Sequence, residues 1–477
     1  MKHPASAVAL TLTAVLTLGA CSQSGGSQST ESKDATVTLT YGVWSQQDTM
    51  QKLVDEFEKE NPNIKVQLQV DPWTDYWTKL QVGAQGGTAP DAFWMLGDRF
   101  QVYAANDQLL ELDDAIQKAG VDYKAYPQPL VDLFTYNGKH YGLPKDFDTI
   151  GLWYNKEIFD NAGVAYPTAD WTWQDVKAAA EKLTDSSKGI YGIAAPLNRQ
   201  EGFYNTIAQA GGSVISADGK KSGYSDPKTQ AGLQYWVDFV QKGQSPSLEQ
   251  FADTEAVAQF ENGKVAMYYG GSFYAQRFYE NSALRSKVNV TILPKGEKRA
   301  TVINGIQNVG YSKSKHPEEL KKFLVFLGGK KAAEIQASTG AVIPAYENTQ
   351  QAWVSSMPEF NLQAFLDQIP DSVVYPVSAN TAVWNKFEET DLAPAWEGKE
   401  SVKDASARAP APYTEKETPP KGSRDRISLH PPRSPWPVSP LHLAVANNSC
   451  RQPFENWAVR ESKTCRTLTV RKTLKRS

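Results

Sequence analysis

The chain has 477 residues, with 50 Lys and Arg against 53 Asp and Glu, and 40% of its residues are hydrophobic. That length allows two or three domains, and that apolar content allows a substantial core. Histidine is too sparse in the body of the chain, at His140 and His316, for a zinc site, and no nucleic acid is expected as a partner.

The N-terminal stretch MKHPASAVALTLTAVLTLGACSQ opens with Lys2 and His3. An apolar run from Ala5 to Leu18 follows, about as long as a signal peptide and too short to span a bilayer comfortably. Leu18-Gly19-Ala20-Cys21 resembles the lipobox of bacterial lipoproteins, cut before a cysteine that carries lipid. SQSGGSQSTES then reads as a flexible tether. Residues 1–20 are therefore expected to be a lipoprotein signal peptide, and residues 21–35 a tether after lipidated, palmitate-bearing Cys21. This places the protein outside the cell, anchored to the outer face of the bacterial membrane, on the periplasmic side where an outer membrane exists. Between Ser22 and Asp404 there is no cysteine, which excludes disulfides and thiol chemistry from the body.

TVTLTYGVW alternates like a strand. In SQQDTMQKLVDEFEKENP, the residues Met50, Leu53, Val54 and Phe57 recur on one helical face, with Asp48 as the expected cap and Asn61-Pro62 as the stop. IKVQLQV alternates Ile64, Val66, Leu68 and Val70 as a second strand. DYWTKLQVGAQGG suits a helix and DAFWML a third strand. Strands and helices alternating at this spacing predict a parallel sheet with helices on both faces, whose ligands bind beyond the carboxyl ends of the strands. Trp44 follows the first strand, and residues 96–100 follow the third.

DFDTIGLWYNKEIFDNAGV reads as a crossing strand and a helix. WTWQDVKAAAEKLT is a helix with Thr172 as cap before Asp175. EAVAQFENGKVAMYYGGSFYAQRF is helix, strand, loop and helix, and HPEELKKFLVFLGG is a helix with Pro317 in its first turn. Residues 407–477 turn Pro-rich and basic, with 14 Lys and Arg against 5 Asp and Glu. Such a segment is expected to be disordered. We read it as an aberrant extension rather than a polyanion-binding tail, because the change falls within an apparent helix start, EGKESVKDAS.

The order and spacing of LVDEFEKENPNIKVQ, GGTAPDAFW, GLPKDFDTIGLWYNKEIFDNAGV, FENGKVAMYYGGSF and SKHPEELKKFLVFL resemble the extracellular solute-binding proteins of bacterial ABC importers. The likeness is to the carbohydrate-binding group that includes maltose-binding protein, and it covers residues 37–404. It implies an α/β, two-lobed periplasmic-binding-protein-like fold with a hinge and an interlobe ligand cleft. Lobe 1 would hold residues 36–147 and 303–342, and lobe 2 residues 148–302 and 343–406. The implied function is that of a monomeric oligosaccharide-binding lipoprotein delivering its ligand to membrane permease subunits, without cofactor or catalysis. FWMLGDRFQVYA matches the group's sugar-binding loop with one extra residue, which marks Trp94, Asp98 and Arg99. Asp148, Phe273, Phe203 and Tyr204 fall at or near further sugar contacts, and Trp384 at a looser match.

Sugar chemistry agrees with this independently. A pyranose has apolar C–H faces for aromatic rings and a rim of hydroxyls for charged side chains. The body carries 11 Trp from Trp44 to Trp396. Trp44, Trp94 and Phe273 are expected on strand-end loops, whereas Trp73, Trp77, Trp171, Trp173 and Trp236 read as core or helix-face aromatics. Each charged candidate has a structural alternative: a helix N-cap for Asp98, a hinge hydrogen bond for Asp148, and a pairing with a nearby acid for Arg99. An exported glycoside hydrolase would need a raised acid facing a second carboxylate, and no pattern singles one out. A peptide or polyamine binder also uses aromatics and acids. The chain has no G-x-x-x-x-G-K phosphate loop, so any importer ATPase is another chain.

Overall fold

A computed structural model describes residues 36–216, 219, 221–378 and 381–410. The expected signal peptide, the lipidated Cys21 with its tether, and all but the first residues of the basic tail lie outside the described residues. In chain order the strands are β1 (Val37–Val43), β2 (Ile64–Val70), β3 (Ala92–Leu96), β4 (Thr135–Tyr136), β5 (Lys139–His140), β6 (Gly142–Asp148) and β7 (Ile150–Asn155). They continue as β8 (Tyr191–Ile193), β9 (Val265–Gly271), β10 (Val288–Thr291), β11 (Thr301–Gly310), β12 (Ile343–Pro344) and β13 (Ser372–Val374).

The first sheet runs β12-β6-β11-β3-β1-β2, with β13 beside β11. β1 is parallel to both β2 and β3, as the alternation of strand and helix predicts. The sheet as a whole is mixed, because β11 enters antiparallel between β3 and β6. β11 follows β10, an edge strand of the second sheet, so its direction is not set by a strand-helix-strand crossover within the first. The second sheet runs β10-β7-β9-β8. Helices pack on both sheets through apolar stripes. On the helix Gln47–Glu60, Met50, Leu53, Val54 and Phe57 are buried, as their spacing requires.

Helix ends agree with the sequence in one case and depart from it in another. Thr172 and Asp175 form a reciprocal capping box at the start of the helix Trp173–Leu183. Asp48 is not the cap of its helix. The cap position is Gln46, in a left-handed conformation with φ 58°, and Asp48 lies in the first turn. At the C-terminal end of the body, Ser401 caps a short helix, Val402–Ser406, which buries Val402 and Ala405.

Two α/β lobes are joined where the sheets meet. Thr149 alone separates β6 of the first sheet from β7 of the second. Beside it, Ile150 N donates to Oγ1 of Thr301, the first residue of β11, at 3.0 Å. The chain leaving β12 is tied to the same place by buried Gln368. Its Nε2 donates to Ile150 O at 3.1 Å and its Oε1 accepts from Leu293 N at 2.9 Å. Among the described residues, no helix is long and apolar enough to cross a membrane.

Candidate ligand-binding site

The carboxyl ends of β1 and β3 place one group of side chains. β1 delivers Trp44, partly exposed, into a nest of aromatic edges. Its ring lies 4.7 Å from Trp94, 5.2 Å from Trp73, 5.1 Å from Tyr76 and 5.6 Å from Trp77, centroid to centroid. Three of these four contacts are near-perpendicular, the arrangement the ring quadrupole prefers. Trp94 was expected on a strand-end loop. It lies within β3, fully buried, with Nε1 donating to Tyr41 Oη at 2.7 Å. Tyr41 Oη in turn donates to Asn308 Oδ1 at 2.6 Å. Trp94 is thus the wall behind Trp44, and its face is not open to solvent. Trp73 and Trp77, read from sequence as packing residues, belong to this group. Trp73 is 47% exposed, because it sits at the first position of the helix Trp73–Gly86 rather than on its inner face.

Asp98 and Arg99 open the helix Gly97–Ala105 directly after β3. The cap position is Leu96, and no side chain caps this end, so Asp98 is not an N-cap. Gly97 is required here, since a Cβ would lie 2.5 Å from a Leu133 methyl carbon. The Arg99 guanidinium carbon stands 4.4 Å from the centre of the Trp77 ring. Among the described residues, Asp98 Oδ1, Arg99 Nε and Trp77 Nε1 are buried with no hydrogen-bond partner. An acceptor and two donors left unsatisfied in this way is unusual, because buried polar atoms are nearly always paired. Burial pushes the Asp98 carboxyl above its ordinary pKa, against the pull of Arg99 and of Arg199 from the second lobe.

A second group sits at the junction of β6 and β7. Asp148 Oδ1 accepts from Gln200 Nε2 at 2.5 Å, and Gln200 Oε1 accepts from Asn304 Nδ2 at 3.0 Å. Asn304 lies opposite Asp148 in the β6–β11 pairing. Burial and the neighbouring Asp146 carboxylate push Asp148 up to about 8. The hinge hydrogen bond considered for Asp148 is present. Phe273 follows β9, and Ser272 N donates to Thr149 O at 3.2 Å, so this aromatic is carried by the same junction. Phe273 is 43% exposed and its ring lies against Gly271, where a Cβ would come within 2.0 Å of it. The glycine pair in YYGGSF thus makes room for the ring.

Phe203, Tyr204 and Trp384 depart from the expectation of ligand contact. Phe203 and Tyr204 are 1% and 2% exposed, inside the core of the second lobe. Tyr204 Oη donates to Glu388 at 2.9 Å, and Tyr224 Oη bonds the same carboxylate. Trp384 packs beside Tyr204, with Nε1 donating to Ser378 Oγ at 3.1 Å. The helix Thr381–Thr390 brings Glu388 to these rings, and burial pushes its carboxyl up to about 7. Sequence spacing had no means of pairing Tyr204 with Glu388, 184 residues apart. Glu201 was also missed. It is buried, accepts from Tyr268 Oη at 2.7 Å, and is pushed up to about 7 by burial.

The described residues hold no group of three or more His, Cys, Asp or Glu arranged to bind a metal ion. The sequence pattern of the bacterial extracellular solute-binding proteins matches residues 44–334. A maltodextrin-binding protein of Bacillus subtilis is 25% identical over 407 residues, 81% of this chain and 88% of that protein. A maltooligosaccharide ABC transporter solute-binding lipoprotein of Streptococcus pneumoniae is 25% identical over 433 residues, 85% of this chain and 95% of that protein. Among solved structures, an ABC substrate-binding protein from Listeria monocytogenes in complex with cycloalternan superposes with a TM-score of 0.72 at 30% identity. That match covers 78% of this chain and 97% of the other.

Proposed function

The chain belongs to the bacterial extracellular solute-binding proteins, and from that premise we propose that it binds a neutral oligosaccharide between its lobes and delivers it to the permease of an ABC importer. The observation that carries this reading is the group at the ends of β1 and β3. Rings of Trp44, Trp73 and Trp77 pack together with the Arg99 guanidinium over Trp77, and Arg99 Nε, Trp77 Nε1 and Oδ1 of the adjoining Asp98 have no partner among the described residues. Aromatic faces and unsatisfied polar atoms together suit a ligand that is apolar on its faces and hydroxylated on its rim. The sugars bound by the relatives support the same class.

Trp44, Asp98 and Arg99 contact the sugar from lobe 1. Asp148 and Phe273 contact it from the hinge, and Trp94 backs Trp44. Lobe 1 comprises residues 36–147 and 303–342, and lobe 2 residues 148–302 and 343–406. The protein works as a monomer, held at the membrane by lipid on Cys21. Sugar shifts the population from open to closed by rotation about Thr149 and its neighbours.

Family members are ligand-binding components of transporters, and this chain returns its ligand unchanged. The test is small-angle scattering with and without maltotetraose, followed by chromatography of the recovered sugar. The radius of gyration should fall and the sugar should return intact. An unchanged profile at saturation, or hydrolysis products absent from an Asp148→Asn control, would count against this reading. A Cys21→Ala chain should leave the membrane fraction.

A further inference from the structure

Lys145 is a charged residue with a side chain that exposes nothing to solvent. It lies in β6, shortly before the strand passes through Thr149. Its ammonium donates to Asp146 Oδ2 at 2.6 Å and to Gln46 Oε1 at 3.4 Å, and stands 4.4 Å from the centre of the Trp94 ring. Taking such a group out of water costs several kcal/mol, and well-packed apolar residues in place of a buried ion pair are often neutral or stabilising. Filling space therefore does not require a charge here. What the charge does is fix direction, because it holds a carboxylate, an amide and a ring face at once.

Each of those three partners leads to the proposed sugar contacts. Gln46 is a non-glycine residue held at φ 58°, two positions after Trp44 and at the start of the helix Gln47–Glu60. That backbone conformation is uncommon for such a residue and needs outside support. Trp94 lies edge-on against Trp44 at 4.7 Å, with an interplanar angle of 85°. Asp146 accepts from Ile306 N at 3.1 Å, where the β6–β11 register shifts, and its charge bears on Asp148.

We propose that Lys145 is a positioning residue of the sugar site, its buried ammonium holding the turn from Trp44 to Gln46 against Trp94 and balancing Asp146 beside Asp148. This rests on the oligosaccharide reading above.

The test uses the full chain. Lys145→Met alone would strand the Asp146 charge, so the informative variant is Lys145→Met with Asp146→Asn. Its thermal midpoint should match or exceed that of the unaltered protein. Amide hydrogen exchange at residues 44–48 should accelerate about tenfold, with β2 unchanged. Affinity for maltotetraose should fall about tenfold, as expected when contact residues are misplaced rather than removed. Gln46→Ala, which leaves the buried pair intact, should give the same exchange change and a smaller loss of affinity. It also keeps the inference testable should the double variant fail to fold. Unchanged exchange at residues 44–48 in the folded variants would overturn the inference, as would unchanged affinity in a double variant with a loosened turn. If the unaltered protein fails to bind maltotetraose and other α-glucans, the oligosaccharide reading falls, while the exchange result still decides whether Lys145 holds the turn.

Discussion

Each lobe carries an acid in an aromatic-rich region, and the two are finished differently. In the second lobe Glu388 is 1% exposed and accepts from Tyr204 and Tyr224, with Arg199 at 3.8 Å. Its polar demand is met inside the lobe, and the rings around it are core. In the first lobe Asp98 opens the helix after β3, next to Arg99 over the Trp77 ring, yet its Oδ1 has no partner among the described residues. Around Glu388 the polar atoms are paired within the lobe, whereas Asp98 Oδ1, Arg99 Nε and Trp77 Nε1 are unpaired among the described residues. The family resemblance marked residues of both groups as candidate contacts, and the hydrogen-bond accounting separates the groups.

Mutating the two acids should break the comparison cleanly. Glu388→Ala leaves two tyrosine hydroxyls and part of the Arg199 charge buried without their partner, so unfolding free energy should drop by about 3–5 kcal/mol. Urea titration checks this, and sugar affinity of the folded fraction should change little. Asp98→Ala should do the opposite. Affinity should weaken by about 1.5–3 kcal/mol, roughly tenfold to a hundredfold, because a charged hydrogen-bond partner is lost. Stability should move by less than about 0.5 kcal/mol, since no helix cap is removed. A stability loss with affinity intact would return Asp98 to a structural role.

Smaller effects sharpen the picture. Gly271→Ala puts a methyl group into the Phe273 ring, 2.0 Å from its Cε1. The ring must swing away, and affinity should fall by about 1 kcal/mol in calorimetry, the scale of one aromatic contact.

The pH dependence of stability should be of definite sign. Asp148 is held at about 8, and Glu201 and Glu388 at about 7, all above their unfolded values. A raised carboxyl contributes its stability in full below the unfolded pKa and loses it as pH climbs through the folded one. The thermal midpoint should therefore decline between roughly pH 4 and pH 8, the window those shifts set. Asp148→Asn should flatten the upper part of that decline.

Much of this architecture was legible locally. The stripe Met50, Leu53, Val54 and Phe57, the alternation in β2, and the Thr172–Asp175 capping box all follow from interactions within a few residues. The motif FWMLGDRF gave the position of the first-lobe group, because a strand end and a helix start meet there. What stayed hidden depends on distant partners. Tyr41 reaches Asn308 across 267 residues, which turns Trp94 from a loop aromatic into a buried wall. The antiparallel entry of β11 and the pairing of Tyr204 with Glu388 are likewise set by the return of the chain. Lys145 gave no signal, because a lysine in a strand reads as exposed until the residues covering it are known.

The central claim is that the unpaired atoms beside Trp44 bind sugar while the paired ones beside Glu388 do not. Isothermal titration of maltotetraose into the full chain and its Asp98→Ala and Tyr204→Phe variants tests it most directly. Single-site binding is expected, weakened roughly tenfold or more by Asp98→Ala and within about twofold of the unaltered protein in Tyr204→Phe. Equal affinity in the Asp98→Ala variant, or a comparable loss from Tyr204→Phe without unfolding, would contradict the account.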